Sequence, residues 1–297
     1  MLSVFVLFYF EQHSRKRMRY HNPVNSVTES KTIKLNGSKA VIAMIACFIP
    51  PLLGFIIPVL QLSEWALTTA GKMIDAYFWN LAFNSFYLAF CTSVVIIIIG
   101  TLLAYGKRTN KSRLIRLLVD FCAMGYAVPG IVIAVGTLII FTSIDNWIIN
   151  SFDATLGIDL DLIFTGTIAA LVFAHTVRFL SLGLQSVGAS LAKVNHSVDD
   201  ASRMLGNNIF TTLRDIHLPL IRSGIFTAAL LVFVEVMKEL PATLIMRPFN
   251  FNTLSVRAYE LASDERLADA STAALAIVLT GIIPIILLNI SAKSHAR

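Results

Sequence analysis

The chain has 297 residues, 56% of them hydrophobic and only 14% charged, with a formal net charge of +6. A soluble domain carries about a quarter charged residues, so this composition excludes an ordinary water-soluble enzyme. The positive charge does not mark a nucleic-acid surface either, because it is concentrated in alternate segments between long apolar blocks.

In chain order, residues 1–10 are apolar and run directly into Arg15, Lys16, Arg17 and Arg19. Half a span long, with no basic leader or small-residue cleavage site, this stretch reads as the last turns of a preceding transmembrane helix. A shallow interfacial anchor is the alternative. Residues 11–39 read as a basic cytoplasmic linker. A six-helix domain is expected over 40–292, with spans at 40–60, 81–105, 119–141, 162–184, 223–246 and 270–292. Each reaches the roughly 20 residues that cross a bilayer. They are read as helices because lipid offers no partner to unpaired backbone groups, and the short alternating strands of a barrel are missing from the sequence. Residues 293–297 form the tail.

Charge sets the expected orientation. Segment 11–39 holds seven Lys/Arg, 107–116 holds five and 189–222 holds four. In contrast, 61–80 has only Lys72, and 142–161 has none but four Asp. The positive-inside rule therefore places the basic loops and the C-terminus in the cytoplasm. Cys47, Cys91 and Cys122 lie in spans without paired spacing and read as small apolar packers. The six His make no ligand pair at helical spacing, and no metal site is expected.

The segment 189–222 is long for a connection inside a bundle. It reads as two short helices around Gly206. Asn195 or Ser197 caps the first, with Asp199 and Asp200 in its opening turn, where the helix dipole favours negative charge. Ala201, Met204 and Leu205 give that helix an apolar side, and Gly206 permits the left-handed turn that stops it. The second helix covers 208–215, and Pro219 marks the start of the fifth span. Ile209, Phe210, Leu213, Ile216 and Leu218 are too apolar for an idle solvated loop and require either a protein partner or the base of the bundle.

The spacing Asp200-Ala201-Ser202, three residues, Gly206, nine residues, Ile216-His217-Leu218-Pro219 resembles the EAA loop of ABC importer permeases. The family pattern is Glu-Ala-Ala, three residues, Gly, nine residues, Ile-x-Leu-Pro. Asp200 and Ser202 depart from it. The resemblance implies an all-α membrane protein, a six-transmembrane-helix type I ABC importer permease unit of the bacterial inner membrane. In that family the loop is a cytoplasmic coupling helix docking on a separate ATPase subunit. This sequence contains no G-x-x-x-x-G-K-[ST] phosphate loop, so ATP and its magnesium are expected on the partner, with no cofactor bound here. Tyr126-Ala127-Val128-Pro129-Gly130, Lys238-Glu239-Leu240-Pro241-Ala242-Thr243 and the run 247–266 are similar to ferric-iron importer permeases, aligned to the second half of that fused protein. The implied partners are ABC ATPase subunits, a periplasmic substrate-binding protein, a second permease half and the bilayer. Thiamine or an organophosphonate is the alternative cargo.

Charges inside spans are costly and are expected to face protein or water. Lys238 and Glu239 fall at i+3 and i+4 from Glu235, so all three are expected on one face of the fifth span. Pro241 interrupts it, and Arg178, with His175 one turn earlier, is the expected counter-ion of Glu235. Together with Pro129, these residues either line a translocation path or lock two helices. Pro129-Gly130 is expected as a kink within the third span. The outer run 247–269, with an amphipathic stretch at 254–261, is the candidate surface for a binding protein. Two other classes compete: a secondary transporter using Glu235, Glu239 and Arg178 as an ion relay, and a non-transporting membrane scaffold.

Overall fold

A computed structural model of the chain describes residues 35–110, 112–156 and 161–294. The readings of 1–10, of most of 11–39 and of 295–297 lie outside the described residues. The chain forms two compact units, Met1–Val59 and Leu60–Arg297.

Helix α1 (Ser38–Pro51) passes through a π turn (Leu52–Ile56) into α2 (Ile57–Met73), giving an apolar helical run of 36 residues. Pro50 and Pro51 remove two ladder donors, and the π turn follows directly. The expected loop at 61–80 is therefore mostly helix. Nothing breaks the pattern before Asp75, whose carboxylate accepts from Phe78 N at 2.8 Å and starts the next helix.

The second unit is built on α3 (Ala76–Thr109), α6 (Ile168–Ala192) and α9 (Leu218–Met237). At about 1.5 Å per residue, the 34 residues of α3 extend well beyond a hydrocarbon core of roughly 30 Å. Leu88 and Ile96 of α3, Leu171 and Phe179 of α6, and Val232 and Val236 of α9 pack in one buried cluster. A second cluster, around Tyr105, Val187, Leu191, Leu213 and Ile221, lies toward one end of the bundle.

The third expected span is two pieces. Amphipathic α4 (Arg113–Cys122) buries Val119 and leaves Leu114, Leu117, Leu118 and Phe121 exposed. A 3-10 turn (Gly125–Ala127) then leads to α5 (Gly130–Leu156), so the predicted start at 119 is corrected to Gly130. Pro129 does not kink a helix. It precedes α5, and its carbonyl accepts from Val132 N and Ile133 N. The segment before α6 is organised by Asp145 of α5, fully buried, which accepts from the N–H groups of Ile163, Phe164 and Thr165.

The loop between α6 and α9 contains α7 (His196–Met204), α8 (Ile209–Thr211) and a π turn (Thr212–His217) that runs into α9. The fifth span ends earlier than expected, at Met237, because Pro241 has no N–H to offer the Met237 carbonyl. Helix α10 (Pro241–Met246) follows, then α11 (Leu254–Ser263), which matches the predicted amphipathic stretch, and α12 (Leu267–Ser294). Among the described residues, five helical runs are long and apolar enough to cross a membrane, and Leu267–Ile282 is a shorter apolar stretch. Cys47 and Cys122 are exposed rather than packed inside the chain, and Cys91 is half-buried; all three are free.

Membrane helices have no hydrophobic drive between them, so close approach depends on small residues. At the α6–α9 contact, a Cβ on Gly224 would lie 1.8 Å from Ser190 Oγ and 2.5 Å from Ser190 Cβ. Overpacking of this kind costs about 1–3 kcal/mol. Gly224→Ala is expected to lower the thermal midpoint of the detergent-purified protein, and adding Ser190→Gly is expected to restore it. No rescue by the second change would show that this contact does not set the spacing of the two helices.

Candidate functional site

The segment 193–217 is held by a buried ionic network. Asp199 sits in the first turn of α7, which Asn195 caps by accepting from Ser197 N. Its Oδ2 accepts from Arg108 Nε at 3.0 Å and Nη2 at 2.8 Å, and its Oδ1 accepts from His217 Nε2 at 2.6 Å. Arg108, the last basic residue of α3, also donates to the carbonyls of Leu191 and Val194 at the end of α6. Tyr105 donates its hydroxyl to Ile209 O at 3.1 Å and lies against the His217 ring. One guanidinium thus ties α3, the end of α6 and α7 together, while His217 adds the start of α9. Burial raises the Asp199 pKa, but hydrogen bonds from Arg108 and His217 outweigh it and hold the carboxyl below its ordinary value. Stability from this pairing is present above the unfolded carboxylate pKa and is lost as pH falls through the depressed folded one.

The residues of the EAA-like pattern divide by exposure. Ser202 is buried, and its hydroxyl bonds Thr212 Oγ1 at 2.8 Å across the two arms of the loop. Gly206 has φ +82°, the left-handed turn expected of it. Leu213 and His217 are buried, and Ile216 and Leu218 are half-buried against the bundle. Asp200, Ala201 and Pro219 face outward. Met204, Leu205, Ile209 and Phe210 are 89%, 82%, 61% and 67% exposed. Of the apolar loop residues, Leu213 and Leu218 pack against the base of the bundle, while Ile209 and Phe210 are left exposed.

Near mid-span, Glu239 gathers a second cluster. Its Oε1 accepts from Arg178 Nη1 at 2.8 Å and Ala242 N at 2.8 Å. Its Oε2 accepts from His175 Nε2 at 3.1 Å, Thr243 N at 3.0 Å and Thr243 Oγ1 at 2.8 Å. Because a carboxylate only accepts, the His175 proton is placed on Nε2. The carboxylate thereby caps α10, while Ser255 Oγ donates to the Glu239 carbonyl at 2.8 Å. Gly130 completes the cluster, since a Cβ there would lie 1.7 Å from Arg178 Nη1.

Two expectations are corrected. Arg178 pairs with Glu239, not Glu235, and Glu235 instead pairs with Lys238 at 2.7 Å. The charges at 235, 238 and 239 do not share a face, because the helix stops at Met237 and Glu239 turns inward. Glu239 is 4% exposed and its carboxylate joins α6 to α10, whereas Glu235 and Lys238 remain accessible. Pro241 opens α10, and Pro129, exposed, precedes Gly130. Sequence reading missed Arg108, Tyr105 and His217 as anchors. Arg108 was grouped with topogenic charge, and His217 falls at the variable position of the Ile-x-Leu-Pro motif.

This helical bundle has the type I ABC importer permease fold. It superimposes on a chain of a bacterial alginate ABC transporter with TM-score 0.68 and 14% identity, over 87% of this chain and 95% of that one. It also superimposes on a chain of the MetNI methionine ABC transporter with TM-score 0.54 and 17% identity, over 76% and 100%. Residues 96–297 match the family described as binding-protein-dependent transport system inner membrane component. The chain belongs to that family and is a multi-pass inner-membrane transport component. It is 27% identical over 238 residues to the Fe(3+)-transport system permease protein FbpB 2 of Haemophilus influenzae, covering 78% of this chain and 44% of that protein. The chain thus spans less than half the length of this curated relative. It is 24% identical over 212 residues to PhnV of Salmonella typhimurium, provisionally a 2-aminoethylphosphonate transport system permease protein, covering 71% and 73%.

Removing one partner of a buried ion pair costs about 3–5 kcal/mol, because the other charge is left unpaired. Glu239→Gln is therefore expected to reduce folded protein sharply, and Glu235→Gln to reduce it little, as judged by gel filtration in detergent. Asp199→Asn is expected to speed tryptic cleavage at Arg203 and Arg214. Unchanged cleavage would show that the Arg108 network does not hold the loop.

Proposed function

We propose that this chain is a membrane half of an ATP-driven importer for ferric iron, with the loop 193–217 as its coupling element in the cytoplasm. The observation that carries the reading is the exposure of Met204, Leu205, Ile209 and Phe210 on a scaffold fixed by Arg108, Asp199 and His217. Large apolar side chains held outside a bundle on a rigid support match a protein-docking surface. The partner is a separate ATPase that holds ATP and magnesium. Its closure pushes the loop, and α6 and α9 carry the displacement into the membrane.

In this arrangement the C-terminus is cytoplasmic, and α10, α11 and the segment joining them face the periplasm. There Arg247 is tied to Asn252 and to Glu260, the latter at 3.1 Å, and Asn252 Nδ2 donates to Tyr77 OH at 2.7 Å. Phe249 stands 95% exposed beside Asn250, whose φ is +62°. A braced loop presenting a fully exposed aromatic is suited to a substrate-binding protein. A second permease half completes the path. Glu235 and Lys238, paired at 2.7 Å, are the accessible charges that would line it.

Ferric iron follows the resemblance to FbpB 2, and the similarity to PhnV keeps an organophosphonate as the second cargo. A secondary transporter using Glu235, Glu239 and Arg178 as an ion relay is disfavoured at Glu239, because five hydrogen bonds occupy that carboxylate and leave no site on it for a moving ion.

The test is reconstitution of the permease with its ATPase and binding protein in proteoliposomes, comparing uptake of ferric ion, 2-aminoethylphosphonate and thiamine. Iron uptake that stops with a hydrolysis-dead ATPase is expected; uptake that follows membrane potential and ignores the ATPase would overturn the importer reading. Gly206→Val is expected to insert normally yet lose the ATPase on co-purification, since a side chain at this φ costs about 1–2 kcal/mol. Phe249→Ala is expected to lower binding-protein-stimulated ATP hydrolysis severalfold and Phe249→Trp to retain it; equal stimulation in both variants would remove Phe249 from the docking surface.

A further inference from the structure

Between the two arms of the loop lies a cavity of about 430 Å³, walled by α7 on one side and by α8 and the π turn on the other. Most of its polar lining is already engaged. The Asp199 carboxylate is held by Arg108 and His217, the Tyr105 hydroxyl donates to Ile209 O, and Thr212 bonds Ser202 and Asn208 O. Asn208 Oδ1 accepts from Thr211 N, which leaves its amide N–H groups. The Arg203 guanidinium and the Asn207 side-chain amide make no hydrogen bond or ion pair among the described residues. What remains unengaged at the mouth is therefore mostly donors: a planar guanidinium and the N–H groups of two amides, with Asn207 Oδ1 as the remaining amide acceptor. The one carboxylate in the lining, Asp199, is neutralised by two partners, and Asp200 faces outward on the same helix.

We propose that this cavity receives an acidic segment of the ATPase, a side-chain carboxylate gripped by Arg203 with Asn207 and Asn208 beside it. A guanidinium fork holds a carboxylate through two parallel hydrogen bonds, which a point-charge ammonium cannot reproduce. The occupant is assigned to the ATPase because Ile209 and Phe210 of the exposed rim themselves line the cavity, and Arg203, which lines it as well, directly precedes exposed Met204 and Leu205. Docking at this loop is then reciprocal: the apolar rim enters the ATPase, and an acidic projection of the ATPase enters the loop. The volume accommodates a loop tip bearing its side chain, more space than a single inorganic anion fills.

The proposal rests on the coupling assignment, and two sets of variants separate the two claims. Phe210→Ala tests the apolar rim; Arg203→Gln, Arg203→Lys and Arg203→Glu test the cavity. Affinity of the detergent-purified permease for its ATPase is measured at low and high salt. Arg203→Gln is expected to weaken binding about tenfold and to flatten its salt dependence, with Arg203→Lys intermediate and Arg203→Glu weakest. Charge reversal of one surface Asp or Glu of the ATPase is expected to restore binding to Arg203→Glu. If Phe210→Ala abolishes binding while all three Arg203 variants bind with unchanged affinity and salt dependence, the acidic projection is refuted and the coupling assignment stands. If Phe210→Ala has no effect, the coupling assignment itself fails. Inorganic phosphate added to the permease alone provides the remaining arm. An Arg203-dependent rise in thermal midpoint without ATPase would make the cavity a free-anion site and overturn the proposal.

Discussion

A carboxylate cannot be left bare in hydrocarbon, and much of the mid-span architecture follows from how Glu239 avoids that state. An unpaired ion there costs several kcal/mol even after relaxation. Glu239 therefore takes donors from two directions. Arg178 and His175 reach it from one face of α6, at i and i+3. The freed N–H groups of Ala242 and Thr243 reach it from the first turn of α10. That second set exists only because Pro241 ends α9 and starts a new helix. The break in the fifth span and the pairing of its buried acid are one event. The same pairing sets a requirement on the third span, since Arg178 passes so close to residue 130 that only glycine leaves it room.

The other end of α6 obeys the same rule with different chemistry. There a guanidinium is the buried ion, and Arg108 is satisfied by Asp199 together with the carbonyls that end α6. Helix α6 thus carries an ionic fixture near its middle and another at its end, and it packs on α3 and α9 between them. Packed helices have little compressibility. A push on the proposed coupling loop would therefore move α6 and the start of α9 as a body, and the breaks at 123–129 and 238–240 are where such motion can be absorbed. Elements at the two breaks meet at one ion pair, which keeps their relative position defined while the helices on either side rotate.

The all-helical class and the turn at Gly206 were legible because they rest on local signals: long apolar runs, spacing within twenty residues, and a glycine whose backbone conformation the turn demands. The break in the third span was not. Residues 119–141 are apolar throughout, and hydropathy is the same for a helix that continues as for one that stops at Cys122 and restarts at Gly130. Partner choice among charges was misread for a related reason. Helical periodicity puts Glu235 and Glu239 on one face only while the helix persists, and Glu239 lies two residues beyond the point where it stops. Arg108 could not be told from its basic neighbours, since the carbonyls it caps come from a helix some eighty residues away in sequence.

Ser202 and Asp200, the two departures from the family pattern, have different structural standing. An alanine at 202 would bury a methyl between the arms; the serine hydroxyl instead bonds Thr212, itself tied to Asn208 O, so the two arms are joined by side chains as well as by backbone. Asp200 faces outward and has no such role within the chain. The shorter carboxylate reaches less far from the helix than a glutamate would, which places the burden of recognition on what surrounds it. The neighbouring exposed groups are Arg203 and the four apolar residues of the rim. In the proposed interface the Asp200 carboxylate therefore adds a negative charge next to the positive one that Arg203 brings to the cavity.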